Sequence, residues 1–101
     1  MLNSTQIEVD LAFHYNVVMT KRRGHFNIVL RPEPEGGFTA IVPALPGCVT
    51  YGRSLDEAKE MAKDAIVGYI ESLRKHQEPI PTDDDTLMAS LDLEYEQASR
   101  R

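Results

Sequence analysis

The sequence is poor in cysteine and in long apolar runs, and each shortage excludes a class of protein. Cys48 is the single cysteine among 101 residues, which excludes an internal disulfide and a zinc site built from several cysteines. No apolar run approaches the roughly 18 residues that a membrane-spanning helix needs, and no signal-peptide pattern opens the chain. We therefore expect a protein without a membrane span that resides in the reducing cytoplasm.

Basic residues are also scarce relative to acidic ones. The chain has 11 lysines and arginines against 16 aspartates and glutamates, a formal net charge of −5. Residues 79–101 alone hold six acidic and two basic side chains. Strong direct binding to a nucleic-acid backbone is therefore not expected, because such binding needs clustered Lys and Arg. An acidic surface suits a basic protein partner, although solubility alone explains the charge equally well.

The residues that are present have the composition of one globular domain. Hydrophobic residues make up 42% and charged residues 27% of the chain, values that are typical of folded soluble domains. Residues 26–101 carry the clear secondary-structure pattern and form the predicted domain. Residues 1–25 fit either a strand or a helix, and their β-branched and aromatic content favours the strand. We interpret them as an N-terminal extension with a candidate role in oligomerisation.

The predicted domain begins with a β-hairpin. Residues 26–31 place apolar side chains on one face, as in a half-buried strand. Prolines and the pair Gly36-Gly37 form the next turn, where glycine tolerates a positive φ. Residues 38–42 are rich in β-forming residues and make the return strand. Residues 43–47 then break the ladder, because their two prolines cannot donate backbone hydrogen bonds.

A short third strand over residues 48–51 precedes a long amphipathic helix. Ser54 lies three residues before Glu57, the spacing of a capping box. Arg74 and Lys75 lie at the end of the helix where the dipole favours cations, and prolines beyond them stop the helix. The predicted core stripe consists of Leu55, Ala58, Met61, Ala62, Ala65, Ile66, Tyr69, Ile70 and Leu73.

A final strand is predicted over residues 87–95, with one buried face. Its apolar residues recur with a period of two, at Leu87, Ala89, Leu91, Leu93 and Tyr95. The complete element order is therefore β-β-β-α-β. This order predicts an α+β fold in which the helix packs on one face of an antiparallel-type sheet.

Side chains that could perform catalysis or bind a metal show no functional spacing in the sequence. Glu33, Glu35 and Asp83–Asp85 are interpreted as solvated loop charges, because paired catalytic carboxylates must converge in a cleft. No two of the three histidines have a metal-binding spacing. Cys48 has no neighbouring base and is expected to pack in the core. We expect the protein to have no enzymatic activity and to bind no metal or cofactor. A small hydrolase that uses Cys48 or a histidine is kept as a minor hypothesis.

The segment from Gly36 to Ala58 resembles the HicB family of antitoxins, as do the helix after it and its exit at residues 79–81. The resemblance covers residues 26–81. Its specific features are a glycine-turn hairpin, a Pro-x-Leu-Pro-Gly-Cys loop and a helix that begins after Gly-x-Ser. The motif residues are Gly36, Gly37, Phe38, Pro43, Leu45, Pro46, Gly47, Cys48, Gly52, Ser54, Glu57 and Ala58.

The resemblance implies both a fold and a function. The implied fold is a β-β-β-α-β unit similar to a truncated ribonuclease H fold. HicB proteins bind HicA, a small basic toxin that cleaves mRNA, and block its active site. The chain ends soon after Tyr95, so we expect no C-terminal DNA-binding module and no direct DNA binding.

Oligomerisation is the second expectation about partners. Sheet edges offer pairing sites for another chain, so we expect a homo-oligomer, either a dimer or a tetramer. The alternative function is a stand-alone HicB-like homo-oligomeric module that binds another protein or a ligand and has no toxin partner.

Overall fold

A computed structural model describes residues 20–100, in which three strands and one helix form an α+β unit. The antiparallel sheet has the order β1-β2-β3, where β1 is Val29–Pro32, β2 is Phe38–Ile41 and β3 is Val49–Gly52. The helix α1 (Leu55–Lys75) follows β3 and packs on β3 and β2. The predicted α+β class, with a helix on one face of an antiparallel sheet, is confirmed.

The N-terminal extension falls mostly on residues 1–19, which lie outside the described residues. Residues 20–25 have no regular secondary structure. The division of the chain at residue 25 and the proposed role of the extension in oligomerisation stay predictions.

The turn between β1 and β2 depends on its two glycines. Gly36 and Gly37 have φ values of 105° and 78°, in the region where other residues are strained. The Glu33 N–H donates to the Gly37 carbonyl at 3.0 Å, which closes the hairpin. The Tyr51 hydroxyl donates to the Gly36 carbonyl at 3.0 Å, and a Cβ on Gly37 would collide with this hydroxyl group. The turn is therefore held against β3 as well as against its own strands.

The loop between β2 and β3 consists of two successive turns. The Leu45 N–H donates to the Val42 carbonyl at 3.1 Å, and the Cys48 N–H donates to the Leu45 carbonyl at 3.0 Å. Pro46 and Gly47 occupy the centre of the second turn, and Gly47 has a φ of 78°. Proline followed by a positive-φ glycine is the type II pattern. As a result, Leu45 is inserted into the core and is fully buried.

Helix α1 begins at a side-chain cap. Ser54 accepts a hydrogen bond from the Glu57 N–H at 3.1 Å, as predicted. The second half of the expected capping box differs, because the Glu57 carboxylate accepts from the N–H of Arg53 at 3.1 Å. Glu57 therefore connects the first turn to the residue before the cap. Within residues 20–100, no helix is long and apolar enough to cross a membrane.

The helix ends at Lys75, four residues before the first of the prolines that were predicted to stop it. His76 is the C-terminal cap, and Gln77 adopts a left-handed φ of 55°. The Glu78 N–H then donates to the Leu73 carbonyl at 2.9 Å, the bond of a Schellman motif. This motif turns the chain away from the helix axis before residues 79–81.

The core lies between the helix and the sheet. It contains the fully or nearly buried residues Ala40, Val42, Leu45, Cys48, Ala58, Ala62 and Ile66. The sequence prediction is wrong for two residues of the core stripe, since Leu55 is 49% and Met61 is 43% exposed. The helix approaches the sheet through small alanine side chains, which keeps the contact stripe narrow. Leu55, at the first helical position, and Met61, beside the stripe, remain outside it.

The predicted final strand is not formed. Residues 87–95 have no strand structure, and Leu87, Leu91, Leu93 and Tyr95 are between 79% and 95% exposed. An alternating sequence can form a strand only where a neighbouring strand supplies hydrogen bonds. No such neighbour lies beside this segment within the described part of the chain, so the prediction of a buried face is wrong for a single copy.

Candidate protein-interaction surface

The predicted motif residues occupy three separate places in the fold. They lie at the hairpin turn (Gly36, Gly37, Phe38), in the β2–β3 loop (Pro43, Leu45, Pro46, Gly47, Cys48) and where β3 joins the helix (Gly52, Ser54, Glu57, Ala58). Their contacts are mainly with the backbone and with the core. This arrangement supports a scaffold role for the motif, which leaves the functional surface to be found elsewhere.

The junction of β3 and α1 is the tightest of these places. A Cβ built on Gly52 would overlap the backbone of Ala58, and Ala58 itself has no exposed surface. Only glycine permits this approach of helix backbone to strand backbone. The junction sets the position of the first helical turn over the end of the sheet.

The β2–β3 loop is fixed from the helix side. The Tyr69 hydroxyl on α1 donates to the Pro46 carbonyl at 2.8 Å, and the two residues are 23 positions apart in the sequence. Pro43 is exposed and occupies the first central position of the turn that precedes Leu45. The contacts that fix the loop therefore point toward the core and the helix, and the loop offers few polar groups to a ligand.

Cys48 does not have the environment of a nucleophile. Its side chain is buried in the core, and this burial raises the pKa of the Cys48 thiol above its ordinary value. A reactive cysteine needs the opposite shift, toward the thiolate. In the part of the chain that the structure describes, no group of three or more His, Cys, Asp and Glu side chains could hold a metal ion.

Asp83 is a structural residue that sequence reasoning missed. It is only 6% exposed, and its carboxylate accepts the Asn27 N–H at 2.8 Å. Its own N–H donates to the His25 carbonyl at 2.7 Å. The interpretation of this acidic run as solvated loop charges is therefore wrong for Asp83. Its backbone partners lie more than 50 residues away in sequence, so no local pattern could reveal them.

Asp84 adds a second bond to the same connection. Its Oδ1 accepts the His25 N–H at 2.7 Å, and this hydrogen bond is the main reason why the pKa of Asp84 lies below its ordinary value. Together the two aspartates fasten the chain after the helix to the residues just before β1. We call Asp83 and Asp84 the aspartate anchor.

The face of the sheet opposite the helix exposes apolar side chains close to the motif. Ala40 and Val42 face the helix, so the alternation of side chains places Val29, Ile41, Val49 and Tyr51 on the other face. Val49 is 55% and Tyr51 is 50% exposed. We call these four residues the open sheet face. The same alternation places Arg31 and Thr39 on this face, in register with Tyr51. An exposed apolar patch of this kind is typical of a protein-binding surface.

The family comparison matches most of the chain. Residues 26–100 match the model of the HicB-like antitoxin of bacterial toxin–antitoxin systems. A UPF0150 protein of Thermoplasma acidophilum is 45% identical over 58 residues, which cover 57% of this chain and 84% of the relative. A UPF0150 protein of Synechocystis is 36% identical over 67 residues, which cover 66% of this chain and 85% of the relative.

Proteins named as antitoxins also match, over part of their length. The antitoxin HicB of Escherichia coli K12 is 34% identical over 56 residues, which cover 55% of this chain and 41% of the relative. The similarity to this named antitoxin is thus confined to less than half of its length.

Proposed function

The chain belongs to the HicB-like antitoxin family of bacterial toxin–antitoxin systems, and we propose that it neutralises a small, basic, HicA-like toxin that cleaves mRNA. In this proposal the chain occludes the toxin's active site by binding, performs no catalysis itself, and meets the toxin in the cytoplasm. The structural observation that carries the proposal is the open sheet face, which the helix leaves uncovered.

The open sheet face has the chemistry of an interface centre. Val49 and Tyr51 lie two positions apart on β3, so their side chains are neighbours on the same face of the sheet. Ile41 on β2 pairs with Val49. Interface centres are enriched in aromatic and apolar side chains and depleted in charge. Tyr51 is also held in place by its hydrogen bond to Gly36, so little side-chain freedom is lost when a partner covers it.

The charge of the chain supports the choice of a basic partner. The net charge is −5, and opposite charge accelerates the encounter of two proteins without determining the final contact. Acidic side chains would direct the approach, and the open sheet face would supply the contact that excludes RNA from the toxin.

Two valines of similar exposure provide the test. Val49 lies on the open sheet face and Val67 lies on the helix, with exposed fractions of 55% and 49%. A candidate toxin gene found beside the gene of this chain is co-expressed with wild type, Val49→Lys or Val67→Lys, and growth is measured. We expect Val49→Lys to lose protection and Val67→Lys to retain it. Equal growth arrest with and without the wild-type chain would refute the toxin partner itself.

The alternative function is a stand-alone homo-oligomeric module without a toxin partner. The observation in its favour is that the UPF0150 proteins of Thermoplasma acidophilum and Synechocystis described above match over 84% and 85% of their length, and their names state no toxin. The growth experiment separates the two proposals, because such a module would protect against no toxin.

A further inference from the structure

Residues 87–95 have the sequence of a strand but have no neighbouring strand within the described range, 20–100. We call them the C-terminal segment. One side of the segment carries its leucines and Tyr95, and the other side carries Asp92 and Glu94. The large apolar side chains are almost wholly exposed. A two-sided pattern of this kind needs a sheet edge that hides one face and leaves the other in water.

An unpaired edge of this kind is present on β1. The sheet order places β1 at one side, and no strand lies beyond it among residues 20–100. The Glu33–Gly37 bond and the β1–β2 register direct the backbone groups of Arg31 toward β2. Because such groups alternate along an antiparallel strand, the N–H and C=O of Leu30 point outward and are available to another strand.

An apolar ledge accompanies this edge. The helix packs on β2 and β3, so Phe26, Ile28 and Leu30 contact the core while remaining only partly buried. Beside Phe26, a groove is lined by the apolar side chains of Ile70 and Ile80. We call the edge with Phe26, Ile28 and Leu30 the β1 ledge. A strand added here would cover it with its apolar side.

Basic side chains outnumber acidic ones around the β1 ledge. Arg22 and Arg23 line the same groove, together with one carboxylate of the aspartate anchor, and Arg31 is exposed on β1 itself. The C-terminal segment contributes the acidic residues Asp92 and Glu94. Residues 20–100 therefore contain an acidic amphipathic segment without a partner strand and an apolar edge, with arginines nearby, that no strand covers.

We propose that the C-terminal segment of one copy adds as a fourth strand to the β1 ledge of a second copy. The C-terminal segment of the second copy binds the β1 ledge of the first in the same way. The two contacts are identical and related by a two-fold axis, which closes the assembly as a dimer. The aspartate anchor fixes the start of the segment on its own domain, after which the exposed segment leaves its own ledge uncovered. The proposal does not depend on the toxin.

The solution mass of the isolated chain tests the exchange. Leu91 and Ser90 are adjacent in sequence but lie on opposite sides of the segment, so Leu91→Glu and Ser90→Glu add the same charge to different faces. We expect wild type and Ser90→Glu to exceed the 11.4 kDa chain mass at least twofold by light scattering. Leu91→Glu should halve that mass, because it should raise the dissociation constant of the dimer by about tenfold or more.

Hydrogen exchange at the Leu30 amide locates the contact. We expect slow exchange in wild type and in Ser90→Glu, and fast exchange in Leu91→Glu. Leu91 is exposed within its own chain, so Leu91→Glu should keep the helix content of wild type by circular dichroism and lose only the added strand. A monomeric wild type, an unchanged mass for Leu91→Glu, or equal loss in both variants would overturn the proposal, as would a protected Leu30 amide in monomeric Leu91→Glu. No toxin is present, so failure here is distinct from failure of the antitoxin function.

Discussion

The backbone of Ala58 lies where a side chain on Gly52 would begin. This contact between the last residue of β3 and the first turn of α1 has no room for a methyl group. Both residues belong to the motif at the strand–helix junction, and their contact explains why a glycine at one position is matched by a small, fully buried residue six positions later. The position of the helix over the sheet follows from it.

The first prediction concerns this junction. Gly52→Ala should destabilise the protein by about 1–3 kcal/mol, since the added Cβ must displace helix backbone. Gly68→Ala is the matched control, because a Cβ there meets nothing within 4 Å. It should stabilise the helix by about 0.5–1 kcal/mol. Urea unfolding of both variants measures the difference, and a harmless Gly52→Ala would contradict the tight junction.

The second prediction concerns the aspartate anchor. Asp83→Ala removes the acceptor of the Asn27 N–H and should cost about 1–3 kcal/mol, the usual penalty for an unsatisfied buried donor. Asp85→Ala, at an exposed position two residues later, should change stability by less than about 0.5 kcal/mol. Thermal unfolding compares the two. Similar values for both variants would show that Asp83 is a solvated charge after all.

The third prediction concerns the core face of the helix. Ile66 is buried, whereas its neighbour Val67 is half exposed on the outer side. Ile66→Ala should cost about 2–5 kcal/mol, as is usual for large-to-small changes in a core, and Val67→Ala should cost far less. Denaturant titration decides between them. A negligible loss at Ile66 would mean that the helix presents a different face to the sheet.

The fourth prediction concerns the thiol of Cys48. Burial raises its pKa, so the thiolate is scarcer at neutral pH than in an exposed cysteine and is also shielded from reagents. Iodoacetamide should alkylate the folded chain at least about tenfold more slowly than the urea-unfolded chain. Rapid modification of the folded protein would instead support the hydrolase hypothesis that the sequence left open.

The hairpin, the β2–β3 loop and the helix could be predicted because their signals are local. Glycines adopt the positive φ values of both turns, and Ser54 caps the helix from three residues away. Each of these features depends on the chemistry of a few adjacent residues. The structure confirms them with shifts of one to three residues at the strand ends.

The final strand and the aspartate anchor could not be predicted because their partners are remote. Alternation over residues 87–95 predicts a strand wherever an edge exists, but it does not say whether that edge belongs to the same copy. Asp83 bonds to residues near His25, and nothing in its own sequence neighbourhood identifies them. The open sheet face was likewise invisible until the register assigned Val49 and Tyr51 to the side opposite the helix.

RNA cleavage by a purified candidate toxin from the same operon, measured with and without this chain, is the decisive experiment for the proposed antitoxin function. We expect cleavage to stop when one copy of this chain is present for each toxin molecule. Val49→Lys should fail to stop cleavage, and Val67→Lys should stop it as wild type does. Undiminished cleavage in the presence of excess wild-type chain would contradict the antitoxin function.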